Sequence, residues 1–399
     1  MPVFKAIKMS DSVYWVGAID WKIREFHGYS TLRGSTYNAY LILAEKVTLM
    51  DAVKAPFRDE LLARIASVID PQKIDYLVSN HSEMDHTGCL PEILAAVKPE
   101  KVFASVMGAR TIPKHFALKQ GITPVKSGDE ISLGNKTLSF LETRMLHWPD
   151  SMFSYLKEDK ILFSQDAFGM HLATEERYAD EIPADILDYE SKKYFANILL
   201  PYASQVSSLV DKFPSLGLEI KTIAPDHGPI WRSGFEALMG QYRSLAAQKP
   251  TRKALVVYDT MWHSTERMAR AIEEGLREGG AQARLLPLSC THRSEVAYEI
   301  LEAGALIVGS PTLNNQLLPT LADTLTYLKG LRPRNLIGTA FGSYGWSGES
   351  PAQLQAFLEE MKIEIVGKPV KANYVPGKDV LDECFAMGMA VAERLQEVV

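Results

Sequence analysis

The chain has 399 residues, too many for one ordinary core, so two or three domains are expected. Hydrophobic residues make up 46% and charged residues 23%, which excludes a disordered or fibrous protein. Lys and Arg number 43 against 49 Asp and Glu, a net charge of −6, and no basic cluster stands out. General attraction to nucleic acid or an anionic membrane is thereby excluded.

No apolar run approaches the roughly 20 residues a membrane helix needs. The start, Met1-Pro2-Val3-Phe4-Lys5, lacks the apolar segment of a signal peptide, so a cytoplasmic protein is expected. Cys89, Cys290 and Cys384 are far apart and form no CxxC pair, which argues against a disulfide framework or a cysteine-ligated metal module.

The first part opens with strands: Val13–Val16, Thr36–Leu43 and Lys46–Met50, the last two joined by the Ala44-Glu45 turn. A helix over Phe57–Val68 and a strand over Ile74–Val78 follow. Later Phe153–Leu156 and Ile161–Ser164 read as a hairpin. Strands with helices between them fit a layered α/β sandwich with mixed sheets. A helix over Phe235–Ala247 leads into the polar, proline-containing stretch Gln248–Lys253, the best boundary, giving domains 1–250 and 251–399. Beyond it strands and helices alternate. The strands are Ala254–Tyr258, Ala283–Pro287, Ala305–Gly309 and Leu336–Ala340. The helices are Ser264–Glu278, Ser294–Ala303, Leu318–Leu328, Ser350–Met361 and Val380–Gln396. That pattern predicts a doubly wound parallel sheet, whose ligands bind beyond the carboxyl ends of the strands.

Directly after the strand Ile74–Val78, four potential metal ligands crowd into six residues: His81, Glu83, Asp85 and His86. Alternation in an extended loop puts His81, Glu83 and Asp85 on one side, and a turn brings His86 in from another direction. Two imidazoles and two carboxylates so dense are costly to bury without a cation. Further candidates follow later apolar stretches: His147, Asp166 and His227. Alone, each is more often a cap or a turn residue; together, in this order, they point to a metal site. His115 and His292 lack this context and read as structural or surface residues.

Three loops of the second part converge on another site. Asp259–Glu266 follows the first strand and contains Thr260, Met261, Trp262, Ser264 and Thr265. Hydroxyls and free N–H groups at a helix start form an anion nest. The loop has neither GxxxxGK[ST] nor GxGxxG, so it suits a single phosphate held without a cation. The loop Ser310–Asn315 brings Pro311, Thr312, Leu313, Asn314 and Asn315, with amides for ring edges. The loop after Ala340 brings Ser343, Tyr344, Gly345, Trp346 and Gly348. Trp262, Tyr344 or Trp346 could stack on a flat ring, and the small residues admit close backbone approach.

The first set of motifs resembles the metallo-β-lactamase fold, and the version with Glu83 is similar to the flavodiiron proteins. The three later loops resemble flavodoxin. The likeness covers essentially the whole chain, with an αββα sandwich first and a flavodoxin-like domain second. It implies two iron ions and FMN. One iron would take His81, Glu83 and His147, the other Asp85, His86 and His227, with Asp166 bridging. In some members the counterpart of His86 turns away from the metal. Hydrolases of the fold usually carry a third His where Glu83 stands, and a carboxylate there favours iron over zinc. His27, His171 and Tyr194 also match family positions and are either proton donors near the metals or ordinary hydrogen-bonded residues.

The activity the resemblance implies is reduction of dioxygen to water, of nitric oxide to nitrous oxide, or both. A zinc-dependent hydrolase carrying an appended flavodoxin domain is the alternative, and Glu83 speaks against it. No Cys-rich rubredoxin module follows Val399, so the expected electron donor is a separate protein such as rubredoxin, or a reduced deazaflavin cofactor. A head-to-tail homodimer, or a dimer of dimers, is expected, with no nucleic-acid or membrane partner.

Overall fold

Side-chain alternation along the N-terminal strands fills two hydrophobic layers at once. Leu41, Leu49, Leu77, Val102 and Ala104 point one way and pack with Leu61, Ile65, Leu90, Ile93 and Ile112 of the covering helices. Tyr40, Ile42, Met50, Val78 and Phe103 point the other way and meet Leu138, Phe140, Met152, Leu156 and Phe163 of a second sheet. The computed structural model describes residues 4–399. Two units are seen. The first comprises the chain up to Phe26, Thr31–Tyr194 and Ser204–Tyr242; the second comprises His27–Ser30, Phe195–Ala203 and Arg243–Val399.

In the first unit a seven-stranded mixed sheet faces a five-stranded one. Helices Arg58–Ala66, Leu90–Val97 and Gly108–His115 cover the outer face of the larger sheet. On the smaller sheet Phe153 points outward to Phe168, which packs in turn on Tyr242 of the helix Phe235–Ala247. The result is the expected αββα sandwich. Its strands Thr48–Met50 and Tyr76–Ser79 run parallel, as do Ile161–Gln165 and Thr222–Pro225. Their carboxyl ends carry the residues that matter below.

One expected strand is two. Thr36–Leu43 breaks at Asn38-Ala39 into Ser35–Tyr37, antiparallel to Ala18–Asp20, and Tyr40–Ile42, antiparallel to Val13–Trp15 and Thr48–Met50. The cause is Asn38. Its backbone N–H donates to Asp226 O, its side-chain amide donates to Pro225 O and Gly228 O, and its Oδ1 accepts from Trp15 Nε1. These bonds replace ladder pairing and tie the segment to the loop that carries His227.

The second unit is a parallel sheet whose strands lie in the order second, first, third, fourth, fifth along the chain. Helices Ser264–Glu278 and Lys378–Val398 pack against each other on one face. The fourth strand runs Ile337–Tyr344, longer than its apolar core Leu336–Ala340. A fifth strand, absent from the sequence reading, comes in two pieces, Glu364–Ile365 and Val370–Asn373. Glu364–Ile365 is too short to show a period, Val370–Asn373 alternates only twice, and the intervening Gly367 has φ 70°.

Candidate functional site

In the first unit, seven side chains from five chain segments meet, six of them around one carboxylate. His81 and Glu83 follow the strand Tyr76–Ser79; Asp85 and His86 sit on the helical turn Met84–Thr87. His147 comes from the loop before Met152–Leu156, Asp166 follows Ile161–Gln165, and His227 follows Thr222–Pro225. Two groups form: His81, Glu83, His147 and Asp166, and separately Asp85, His86 and His227. Asp166 joins them. Its Oδ2 stands 3.2 Å from His81 Nε2 and 3.1 Å from His147 Nε2. Its Oδ1 stands 3.2 Å from His86 Nε2 and 3.4 Å from His227 Nε2. Glu83 Oε2 lies 3.1 Å from His147 Nε2, and Asp85 Oδ2 lies 3.0 Å from His227 Nε2.

The sequence expectation that His81, Glu83 and Asp85 share one side is corrected. Glu83 is the last extended residue, with ψ 149°, and the helical turn begins at Met84. Period-two alternation stops there, so Asp85 rotates away from Glu83 and joins His86 in the other group. His86 faces the cluster through Nε2 and is not turned away.

The donor set fits two metal ions. Atoms bound to one ion at about 2.1 Å stand roughly 3.0–3.4 Å apart, the spacing found here. Both oxygens of Asp166, Oδ1 of Asp85 and Nε2 of His86 are buried and receive no hydrogen bond among the described residues. Buried polar atoms without partners are uncommon and call for an ion. Without one, charges balance as imidazolium–carboxylate pairs. Burial would lower His86, yet the Asp85, Asp166 and Asp226 charges raise it to about 10. Burial likewise opposes His81, but the Asp150 hydrogen bond and the Asp166 charge lift it well above the imidazole range. Burial would raise Asp166, and the surrounding imidazoles, His86 foremost, hold it well below the carboxylate range. Metal uptake therefore displaces protons.

An outer layer, none of it assigned from the sequence, orients the ligands. Asp150 Oδ2 lies 3.2 Å from His81 Nδ1 and accepts from Ser82 N at 2.6 Å. Thr36 O stands 2.6 Å from His227 Nδ1. Asp226 Oδ2 lies 3.6 Å from His86 Nδ1. Asp51 accepts from both the backbone N–H and the side-chain amide of Asn80 at 2.6 Å. Asp51 (φ 56°) and Gln165 (φ 45°) hold left-handed backbone at the two strand ends. Such strain persists only where the surroundings enforce it. Asp150 and Asp226 lie within three residues of a candidate ligand, a signal that could have found them; Thr36 and Asp51 carried none. Asp150→Asn is expected to weaken metal retention about 10- to 100-fold with the fold intact, because the His81 ring loses its anionic partner. Chelator competition measures this, and retention equal to wild type would refute it.

His171 and Tyr194 adjoin the cluster. Their rings are 5.1 Å apart, and the His171 ring lies 4.7 Å from that of His227. Burial and the neighbouring His227 push His171 well below the imidazole range. Burial, helped by the Asp166 charge, pushes Tyr194 well above the phenol range. His27 (φ 53°) heads the segment His27–Ser30, which belongs to the second unit. His115 stacks on Trp148 and His292 caps the helix Arg293–Ile300, both as structural residues.

In the second unit the three loops enclose a cavity of about 490 Å³. Of the expected residues, Met261, Trp262, Ser264, Pro311, Thr312, Leu313, Asn314, Asn315, Ser343, Tyr344, Gly345 and Trp346 line it. Ser347, Tyr374 and Val375 also line it and were not foreseen; the last two follow the unrecognised fifth strand. Thr260, Thr265 and Gly348 do not line it. Thr265 is buried, its hydroxyl 2.9 Å from that of Ser343, bracing one loop on another. Asn314 (φ 49°) and Asn315 (φ 62°) form the two-residue turn joining Thr312–Leu313 to Gln316–Leu317. Positive φ at both central positions is why two asparagines serve there. Trp262 and Trp346, 87% and 86% exposed, line the cavity, and among the described residues no cationic side chain lines it. A flat, singly phosphorylated ligand such as FMN fits this lining, which includes Ser264 at the start of the helix Ser264–Glu278.

Two family models match the chain: the ODP family beta lactamase over residues 36–228 and flavodoxin over residues 256–388. Rubredoxin-oxygen oxidoreductase of Megalodesulfovibrio gigas is 46% identical, with 98% of each chain covered. The nitric oxide reductase of Moorella thermoacetica is 43% identical, covering 98% of this chain and 99% of its own. The crystal structure of the flavodiiron protein from Giardia intestinalis superposes with a TM-score of 0.94 at 33% identity, covering 99% of this chain and 97% of that one. The chain belongs to the flavodiiron protein family. As a flavodiiron protein it combines the αββα sandwich with the flavodoxin-like sheet, the architecture described above. No helix among the described residues is long and apolar enough to cross a membrane.

Proposed function

We propose that this flavodiiron protein is an oxidoreductase carrying FMN and two iron ions, and that it reduces dioxygen to water, nitric oxide to nitrous oxide, or both. One observation carries the reading: a single carboxylate, Asp166, presents one oxygen to each of two complete ligand groups. The iron pair supplies a binuclear redox centre for a diatomic substrate, and FMN supplies electrons in deliverable form.

The protein's own residues do the rest. His81, Glu83 and His147 would hold one iron, Asp85, His86 and His227 the other, and Asp166 both. His147 is the most accessible of the seven and marks the open side. His171 and Tyr194 would donate hydrogen bonds and protons to the reduced oxygens, a role we extend to His27 on resemblance alone. Ser264 would anchor the FMN phosphate, Thr265 would brace that loop through Ser343, and Gly348 (φ 83°) would shape the ring loop beside Tyr344 and Trp346. We place the domain boundary at 250/251, with iron in 1–250 and FMN in 251–399.

Rubredoxin, or a reduced deazaflavin, is our proposed donor. A head-to-tail homodimer, alone or paired, is supported by apolar exposure in each unit: Trp262 and Trp346 by the flavin cavity, and Met84, 46% exposed, between ligands Glu83 and Asp85. Exposed apolar groups at a site's rim mark association surfaces. Free thiols at Cys89, Cys290 and Cys384 support a cytoplasmic setting. The zinc-hydrolase alternative is disfavoured by Glu83, whose Oε2 stands 3.3 Å from His81 Nε2 and 3.1 Å from His147 Nε2.

Elemental analysis and absorption spectroscopy of the purified protein, followed by gas-consumption assays with reduced donor, test the reading. Iron with FMN and turnover of either gas supports it. Zinc, with no turnover of either gas after iron reconstitution, refutes it.

A further inference from the structure

Ser35 lies between a metal ligand and the pocket residue His171. It is fully buried, and His171 is 1% exposed. His227 turns Nε2 toward Asp85 and Asp166, so a metal-bound His227 carries its proton on Nδ1. That proton goes to Thr36 O at 2.6 Å, since a carbonyl only accepts. Ser35 Oγ, 3.4 Å from the same Nδ1, can therefore act toward His227 only as an acceptor.

The Ser35 hydroxyl proton has two places to go. Thr36 O is 3.2 Å away and already holds the short bond from His227. His171 Nδ1 is 2.8 Å away, near the optimum of about 2.7–2.8 Å for a hydroxyl donor. The shorter contact wins. The His171 ring is confined by Phe26, Tyr194 and His227, with centroids at 5.1, 5.1 and 4.7 Å, which opposes exchange of its two nitrogens by a ring flip. We infer that Ser35 is a positioning residue that donates its hydroxyl proton to His171 Nδ1 and thereby fixes His171 as the tautomer with its N–H on Nε2.

A neutral imidazole has one proton, and its location decides which nitrogen donates and which accepts. With Ser35 in place the donor is Nε2, and no rearrangement is needed before it acts. The catalytic consequence rests on the donor role proposed for His171; the tautomer itself does not.

The test is two-bond ¹H–¹⁵N correlation NMR on histidine-labelled protein with FMN bound and diamagnetic zinc replacing iron. His171 is assigned by the signal missing from His171→Gln. Wild type is expected to show the Nε2–H pattern. Ser35→Ala is expected to show an Nδ1–H or mixed pattern at unchanged metal content, and Ser35→Thr to restore the wild-type one. With iron loaded, kcat of Ser35→Ala is expected to fall about tenfold with KM held, within the range of an outer-layer residue. An Nδ1–H pattern in wild type, or a Ser35→Ala pattern identical to wild type, overturns the inference. Should Ser35→Ala not fold, the wild-type pattern alone decides. If the tautomer shifts in Ser35→Ala while His171→Gln turns over like wild type, the donor role fails and the positioning inference stands.

Discussion

Asp166→Ala is expected to abolish reduction of both gases, by more than about 100-fold, and to lower bound iron while leaving FMN in place. The reason is geometric. Each Asp166 oxygen stands 3.1–3.4 Å from imidazole nitrogens of a different ligand group, so removing the side chain opens both groups. Loss of a residue that only orients a ligand costs about 10- to 100-fold, and a shared ligand should exceed that. The alanine also leaves His81, His86 and His147 without the carboxylate that stands within 3.2 Å of all three. Iron per chain, measured beside FMN absorbance, is the readout. Two irons per chain in the variant would show that Asp166 is not the bridge.

The second large effect concerns the helix whose start is proposed to hold the FMN phosphate. Gly388 of the helix Lys378–Val398 packs directly on backbone of the helix Ser264–Glu278. A Cβ at Gly388 would stand 2.2 Å from Ile272 O, 2.7 Å from Leu276 N and 3.0 Å from Gly275 C. Gly275 mirrors it, with Phe385 O at 2.0 Å. Backbone cannot yield as a side-chain tip can, so the two helices must separate. Gly388→Leu is expected to cost about 3 kcal/mol, the upper end for overpacking, and to lose FMN on gel filtration. Gly388→Ala should cost less, roughly 1–2 kcal/mol. Gly240, inside the helix Phe235–Ala247, is the control: a Cβ there meets nothing within 4 Å, so Gly240→Ala should stabilise by about 0.5–1 kcal/mol. Thermal unfolding reads all three. The same sign at Gly388 and Gly240 would refute the packing argument.

How legible each part was follows from the range of the interactions behind it. Helix Ser264–Glu278, helix Phe235–Ala247 and strand Ala305–Gly309 stand where composition and punctuation put them, because period and turn residues are local properties. The broken strand at Asn38 was not legible, since its bonds run to Pro225, Asp226 and Gly228, nearly 190 positions away. Tyr374 and Val375 were missed with the short fifth strand that delivers them to the flavin cavity.

The candidate metal centre divides in the same way. Residue chemistry by itself determined the donor types, because two imidazoles and two carboxylates after a buried strand have few uses besides a cation. It also determined that further donors follow later strands, while the exchange of a usual His for Glu83, which favours iron, came from the family resemblance. The partition that the resemblance implied has its physical cause only in the tertiary structure. A helical turn starting at Met84 sends Asp85 to one group and leaves Glu83 in the other. Only tertiary structure, too, brought Asp150 to His81 and Ser35 to His171, across 69 and 136 positions. Ligand identity is a property of single side chains and is written in sequence; which donors share an ion, and what aims them, depends on contacts that exist only once the two sheets close on each other.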